Sequence, residues 1–440
     1  MYLIFDTETT GLPHNYSAPI TDLDNWPRMV QIAWQLHGSK GELLENENLI
    51  VKPEGFTIPF NAQKIHGIST ERALKEGHDL VEVLNKFKAS VEKAEWIIGH
   101  NIEFDNKIVG AEQIRGDITS PLLDKPTVDT AEVSKEYCQL PGGLGGKLKS
   151  PKLIELHEKL FGVGFDDAHD AAYDVAATTK CFFGLVAEQV VKPFDNTPYQ
   201  DVVYEEPDLA LANFAQKEDI SDKQSGDTKV SIEDITTPFV HLHAHSQYSV
   251  LQAVPNIKGL VAKAKEYDMP AVALTDLGNM FGAFQFVSEA AKNDIKAIVG
   301  CEFYVAEERK KLKFTKDNPD KRFNQVLIAK NKSGYHNLAK LTSLGYIEGL
   351  YGNYPRIDKD LIRTYSQDVI ALTGGLSGEI PNLILNVGET QAEEAFKWWH
   401  AIFQDDFYVE FIRHGMEEEE HVNQVLLSFA KKYDVKCIAA

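Results

Sequence analysis

Two acids at the end of an apolar run are the first residues of this chain with chemistry in reach. Tyr2 to Phe5 is apolar, Asp6 and Glu8 follow, and the breaker pair Thr10 and Gly11 closes the stretch MYLIFDTETTGL. Side chains alternate along a strand, so Asp6 and Glu8 share a face with carboxylates roughly 6 to 7 Å apart. Like charges that close repel unless a cation lies between them, and hard oxygen ligands suit Mg²⁺ or Mn²⁺. A strand end with two solvated acids is the plainer reading of the same fragment. Two further polar clusters repeat the pattern. His100, Asn101, Glu103 and Asp105 follow the apolar stretch Glu95 to Gly99, and Asp166 to Asp174 (DDAHDAAYD) runs into an alanine-rich helix, with His169 at its start and Asp174 one to two turns in.

The elements that must position these groups are legible from periodicity. After the first strand, Met29 to His37 and Glu42 to Val51 read as two more strands joined by a Gly38 to Gly41 turn, a meander leading away from the acids. Asn61 to Gly67 (NAQKIHG) reads as a short helix, and Asp79 begins a longer one with Leu80, Val83, Leu84, Phe87 and Val91 on its inner face. Ile102 to Arg115 has helical composition with Gly116 as its stop, which puts Asp105 near a helix N-terminus where the dipole favours a carboxylate. Thr127 to Asp129 is a further short strand. The loop Pro141 to Gly146 (PGGLGG) lacks the spacing of a phosphate-binding loop and reads as a connector.

Composition narrows the classes. The chain has 440 residues, too long for one core, and ordinary globular contents of hydrophobic (43%) and charged (25%) residues. A net charge of -21 argues against an unspecific electrostatic grip on DNA or anionic lipid. Cysteines 138, 181, 301 and 437 form no CxxC pair, so neither a disulfide framework nor a zinc ribbon is expected. No apolar run approaches 18 residues, which gives the expectation of a cytoplasmic protein with no membrane partner.

Taken together, DxETTGL, HNxxFD and HxAxxD, in this order over residues 1–190, resemble the DEDDh family of 3′→5′ exonucleases. The resemblance implies a ribonuclease H-like α/β domain with a mixed central sheet. It implies Asp6, Glu8, Asp105 and Asp174 as ligands of two Mg²⁺ or Mn²⁺ ions, with Asp6 bridging, and His169 as the general base. It further implies that Thr9, Gly11, Leu12, His66 (in KIHGI) and Asn101 line the site of a bound DNA 3′ end, single-stranded or mispaired. The chemistry suits these residues: two ions neutralise phosphorane charge and assist the leaving oxygen, and imidazole takes the water's proton.

Beyond residue 190 the composition shifts. Residues 191–238 carry eleven acids against four lysines with scattered Pro, Ser and Thr, which reads as an acidic flexible linker. From Phe239 the string FVHLHAHSQYSVLQ reads as a strand presenting His241, His243 and His245 on one face, a metal-ligand spacing or simply a polar strand face. Strand and helix then alternate, with Thr275, Asp276 and later Cys301, Glu302 at strand ends, as in a (βα) barrel-like domain.

HLHAHSQYSVLQ, MPAVALTDLGNMFGAF, VGCEFYV, LIAKNKSGYHNLAKL and DFYVEFIRHGMEEEEHVNQVLL together resemble the polymerase-and-histidinol-phosphatase (PHP) domain of bacterial DNA polymerase III alpha subunits, over residues 239–440. His243, His245, Asp276 and Glu302 match that family's ligands for Zn²⁺ or Mn²⁺. Gln252, Leu277, Asn324 and Gly375 stand where metal-binding members have Asp, His, His and Cys, and cannot serve a trinuclear site. This pattern favours a structural domain, with mononuclear binding by His243 and His245, or an active metal phosphoesterase, as the alternatives. The resemblance implies the N-terminal part of a longer replicative polymerase chain with a fused proofreading exonuclease, its partners including the sliding clamp and clamp loader.

Overall fold

Apolar alternation builds the first sheet. Tyr2–Thr9 forms β1, Met29–His37 β2, Leu43–Ile50 β3, Trp96–Gly99 β4 and Thr127–Asp129 β5, in the order β3-β2-β1-β4-β5. The first three pair antiparallel, as a meander must, and β1–β4 and β4–β5 are parallel, each reached through helical connections. This is a computed structural model. It describes residues 1–142, 147–165, 171–204, 239–315 and 319–439, in two compact units, Met1–Ile220 and Ser221–Ala440.

The two faces of β1 divide the core of the first unit. Leu3 and Phe5 face a cluster completed by Trp34, by Val83, Leu84, Phe87 and Val91 of the Leu80–Lys93 helix, and by Ile102, Ile108 and Val109 of the Ile102–Arg115 helix. Tyr2 and Ile4 face the other way, onto Val175, Phe182, Phe183 and Val186 of the Ala171–Ala187 helix. Each fully buried Leu or Phe contributes about 1.5 to 3 kcal/mol, so both helices are fixed against the strand that carries the acids.

Residues 191–204, which composition assigns to the linker, belong to this core. Val191, Phe194, Tyr199, Val202 and Tyr204 pack on the Tyr2 face, Tyr204 stacks on Phe183 at 5.1 Å, and the Val203 N–H donates to the Lys40 carbonyl at 2.8 Å. The polar residues between the spaced aromatics lower the mean hydropathy of the stretch, while the aromatics still bury area. The remainder of the expected linker, 205–238, lies outside the described residues.

The second unit is built on β6 (Ala271–Leu274), β7 (Lys296–Ala306), β8 (Arg322–Ala329), β9 (Leu350–Tyr351), β10 (Tyr354–Ile357), β11 (Val369–Leu372), β12 (Phe407–Phe411) and β13 (Lys436–Ala439). The order is β13-β12-β11-β8-β7-β10-β9, and the first residues of the long β7 also pair in parallel with β6. The α/β alternation holds from β6 to β7 and from β11 to β13. It is broken where β7 pairs antiparallel with β8, with no helix between them among the described residues, and where β8 pairs antiparallel with β11. Among the described residues no helix is long and apolar enough to cross a membrane.

Candidate active site

Asp6 and Glu8 are the half-buried positions of a strand otherwise buried from Tyr2 to Thr9, on the same face as Tyr2 and Ile4. The helix on that face delivers Asp174 in its first turn. One ligand oxygen from each of Asp6, Glu8 and Asp174 lies within 4.8 Å of the others. Three carboxylates converging at that distance form a hard, anionic donor set of the kind that fits a divalent cation.

Asp105 reaches β1 from the opposite side. Its helix packs on the Leu3 and Phe5 face, and its Oδ1 accepts hydrogen bonds from the Thr7 N–H at 3.0 Å and the Thr7 hydroxyl at 2.6 Å. It is therefore not in the 4.8 Å group with the other three acids. Burial lifts the Asp105 carboxyl to about 7 against the pull of both Thr7 bonds. His169 lies outside the described residues, as do the rest of 166–170 and 143–146 of the glycine-rich loop.

Of the residues expected to hold substrate, Thr9 ends β1 and Gly11 and Leu12 follow it. The register shifts between Glu8 and Thr9, the Thr9 hydroxyl donates to the Gly11 carbonyl at 2.7 Å, and Gly11 has a φ of 152° that an L side chain rarely adopts. Leu12 is 72% exposed, an apolar side chain offered to solvent beside an acidic cluster. His66, the last residue of the Phe60–His66 helix, is buried; its Nδ1 accepts from the Ile68 N–H at 3.1 Å, and its Nε2 has no hydrogen-bond partner among the described residues. Burial pushes its pKa down to about 4, with the Thr9 backbone pulling the other way, so the ring is neutral at pH 7. Asn101 caps the Asp105 helix in the left-handed conformation (φ 65°), its N–H donating to Asp129 Oδ1 at 2.9 Å.

In the second unit the His241 to His245 stretch is not a strand. Its carbonyls at 241 and 244 accept from the N–H groups of Ala273 and Thr275, so three residues on one side answer two on the other and the ladder is interrupted. His241 meets Phe239 edge to face, while His243, His245 and Glu302 bring ligand atoms within 4.8 Å of one another. Asp276 is outside that group: its carboxylate accepts from the Ser246 N–H (2.6 Å), the Ser246 hydroxyl (2.8 Å) and the Ser249 hydroxyl (2.7 Å), which ties down the loop after His245.

Glu410 of β12, which sequence reasoning misses, stands behind His243: the Nδ1 to Glu410 Oε1 distance is 2.9 Å, and Glu410 Oε2 is buried with no partner among the described residues. A charged residue between Val409 and Phe411 in a buried strand was its only signal. Burial opposes a charge on His243, but carboxylates at both its nitrogens hold it up to about 10. Burial likewise works against the Glu302 anion, yet the two histidines bring it down to about 2.

Comparison with known proteins fits this two-part layout. Residues 3–182 match the family described as Exonuclease, and residues 241–414 match the PHP domain. The two matched stretches fall one in each compact unit, in this order. It is similar to the DNA polymerase III alpha subunits of Borreliella burgdorferi (42% identical over 202 residues, 46% of this chain and 18% of the relative) and Thermus aquaticus (41% over 204 residues, 46% and 17%). The chain thus spans less than a fifth of the length of these curated relatives. Among solved structures it is similar to E. coli Exonuclease I in complex with a dT13 oligonucleotide, at 23% identity and a TM-score of 0.34, covering 42% of this chain and 40% of that one.

Proposed function

We propose that the first unit is a metal-dependent 3′→5′ exonuclease that removes nucleotides from DNA ends, working as the proofreading part of a longer replicative polymerase. The observation that carries this reading is the convergence of Asp6, Glu8 and Asp174 within 4.8 Å on one face of β1. Two Mg²⁺ or Mn²⁺ ions, when bound, supply charge neutralisation at the phosphoryl group and a water of lowered pKa. Asp6, Glu8 and Asp174 would hold them, and Asp105 supports the same strand through Thr7. His169 takes the proton of the attacking water. Thr9, Gly11, Leu12, His66 and Asn101 grip the 3′-terminal nucleotide, the neutral His66 without adding charge. DNA rather than RNA, and assembly with the sliding clamp and clamp loader, are supported by the similarity to DNA polymerase III alpha subunits.

The test is digestion of a 5′-labelled single strand with Mg²⁺, beside a circular strand of the same sequence. A ladder shortening from the 3′ end, with the circle intact, is the expected result. Cutting of the circle, or release of the 5′ label first, refutes the reading.

A second reading concerns the PHP unit. We read it as structural, because Asp276 is engaged by serines and Gln252, Leu277, Asn324 and Gly375 offer no anionic or imidazole ligand. One observation favours a single Zn²⁺ or Mn²⁺ instead: a carboxylate behind a histidine, as Glu410 stands behind His243, orients the ring's other nitrogen toward a metal. Metal analysis of the full chain carrying Asp6→Ala and Asp174→Ala separates the two. Stoichiometric metal that survives dialysis supports the mononuclear site, and its absence supports the scaffold.

A further inference from the structure

Seven residues after Asp105, and so on the same face of its helix, Glu112 carries a fully buried carboxylate. Its Oε1 accepts from Arg28 Nε at 2.8 Å, from the Arg115 guanidinium at 2.9 Å and from the Met29 N–H at 3.0 Å, and its Oε2 accepts from Arg28 Nη2 at 3.4 Å. Met29 is the ladder partner of Thr9, at the point where the register shifts between Glu8 and Thr9. Such a bulge re-aims the side chains beside it. Arg28 closes the turn from the other side: its N–H donates to Thr10 Oγ1 at 3.0 Å, and its carbonyl accepts from the Thr10 N–H at 2.9 Å. The same guanidinium lies 4.3 Å from the centre of the Phe56 ring and donates to the Glu54 carbonyl at 3.4 Å, in the stretch that leads to the His66 helix.

We propose that Arg28 is a positioning residue which, held by Glu112, fixes three segments in one register: the Thr9 to Leu12 turn, the Asp105 helix and the segment leading to His66. The 3′-terminal nucleotide is thereby gripped at the end of β1. This rests on the exonuclease reading. Arginine is required because its planar fork engages both Glu112 oxygens while a third nitrogen reaches Glu54, a pattern that a single ammonium cannot reproduce.

Kinetics of the full chain on a 5′-labelled oligonucleotide at saturating Mg²⁺ separate positioning from folding. Arg28→Met raises KM about tenfold or more, since small misplacements of gripping groups are costly. Arg28→Lys raises it less, and kcat at saturating DNA stays within about threefold of wild type in both. Glu112→Gln, close in size, moves KM the same way and serves if Arg28→Met does not fold. A KM within about twofold of wild type in Arg28→Lys and Glu112→Gln overturns the proposal. So does a loss of kcat that tracks lost folded protein with KM unchanged. A wild-type chain that leaves the oligonucleotide undigested overturns the exonuclease reading, and the positioning role with it.

Discussion

Single residues carry the chemistry, and their settings differ in ways that can be measured. Asp6 and Glu8 of β1 and Asp174 of the helix packed on it converge within 4.8 Å, a hard anionic donor set that fits a divalent cation. Asp174→Asn is therefore expected to lower nuclease turnover by about 10² or more, the scale lost with one preorganised electrostatic group, while thermal unfolding stays near wild type. Buried His66 gives a pH signature. Its folded pKa of about 4 lies below the ordinary value near 6.5, so between these values the unfolded chain binds a proton that the folded chain does not. Its contribution is complete above pH 6.5 and lost as pH falls toward 4, about 3 kcal/mol in all. The buried His37 and His100 are shifted the same way by burial. Urea unfolding at pH 7 and pH 4.5 checks this: His66→Asn is expected to shrink the acid loss, and an unchanged difference rules out His66 as its source.

Elements position those residues, and much of this level is legible from pattern. An apolar run ending in acids marked β1, and the inner-face spacing of Val83, Leu84, Phe87 and Val91 marked the helix that supports it, which begins at Asp79 as expected. Other features rest on contacts far apart in sequence. Glu410 meets His243 across 167 residues, and its one local signal, a charge inside a buried strand, does not name the partner. Residues 191–204 looked like linker because they run on into the acid-rich stretch to 238 and hold two prolines and two acids of their own, yet Phe194, Tyr199 and Tyr204 dock onto the Tyr2 face. The antiparallel step from β7 to β8 was hidden because one strand resembles another whichever way it runs. That Asp105 grips Thr7, on the face opposite Asp6 and Glu8, follows from helix packing rather than from motif spacing. Phe87 joins these elements, fully buried with ring centres 5.0 Å from Phe5 and 5.3 Å from Trp34. Phe87→Ala is expected to cost about 3 to 5 kcal/mol in chemical denaturation. A cost below about 1 kcal/mol, the range of a tolerated core swap, contradicts that role.

At the scale of the whole molecule, charge sets how DNA is held. With a net charge of -21 the chain has little to gain from displacing counterions along a duplex, and the proposed site holds its substrate through bound cations and a few contacts at the 3′ end. Apparent affinity for a 3′-ended strand is expected to fall by less than about tenfold between 50 and 200 mM salt, against about 10³ to 10⁵ for a protein neutralising six to ten phosphates. A steep salt dependence reveals a basic surface that this account does not include.

We propose above that the acids converging on β1 hold the cations that drive hydrolysis at a DNA 3′ end. Single-turnover digestion of a labelled single strand, titrated with Mg²⁺ for wild type, Asp6→Asn and Asp174→Asn, tests it most directly. Wild type is expected to shorten the strand only when Mg²⁺ or Mn²⁺ is present and to stop in chelator, and neither variant is expected to recover at high Mg²⁺. Digestion that persists in chelator, or variants that cut as fast as wild type, would contradict it.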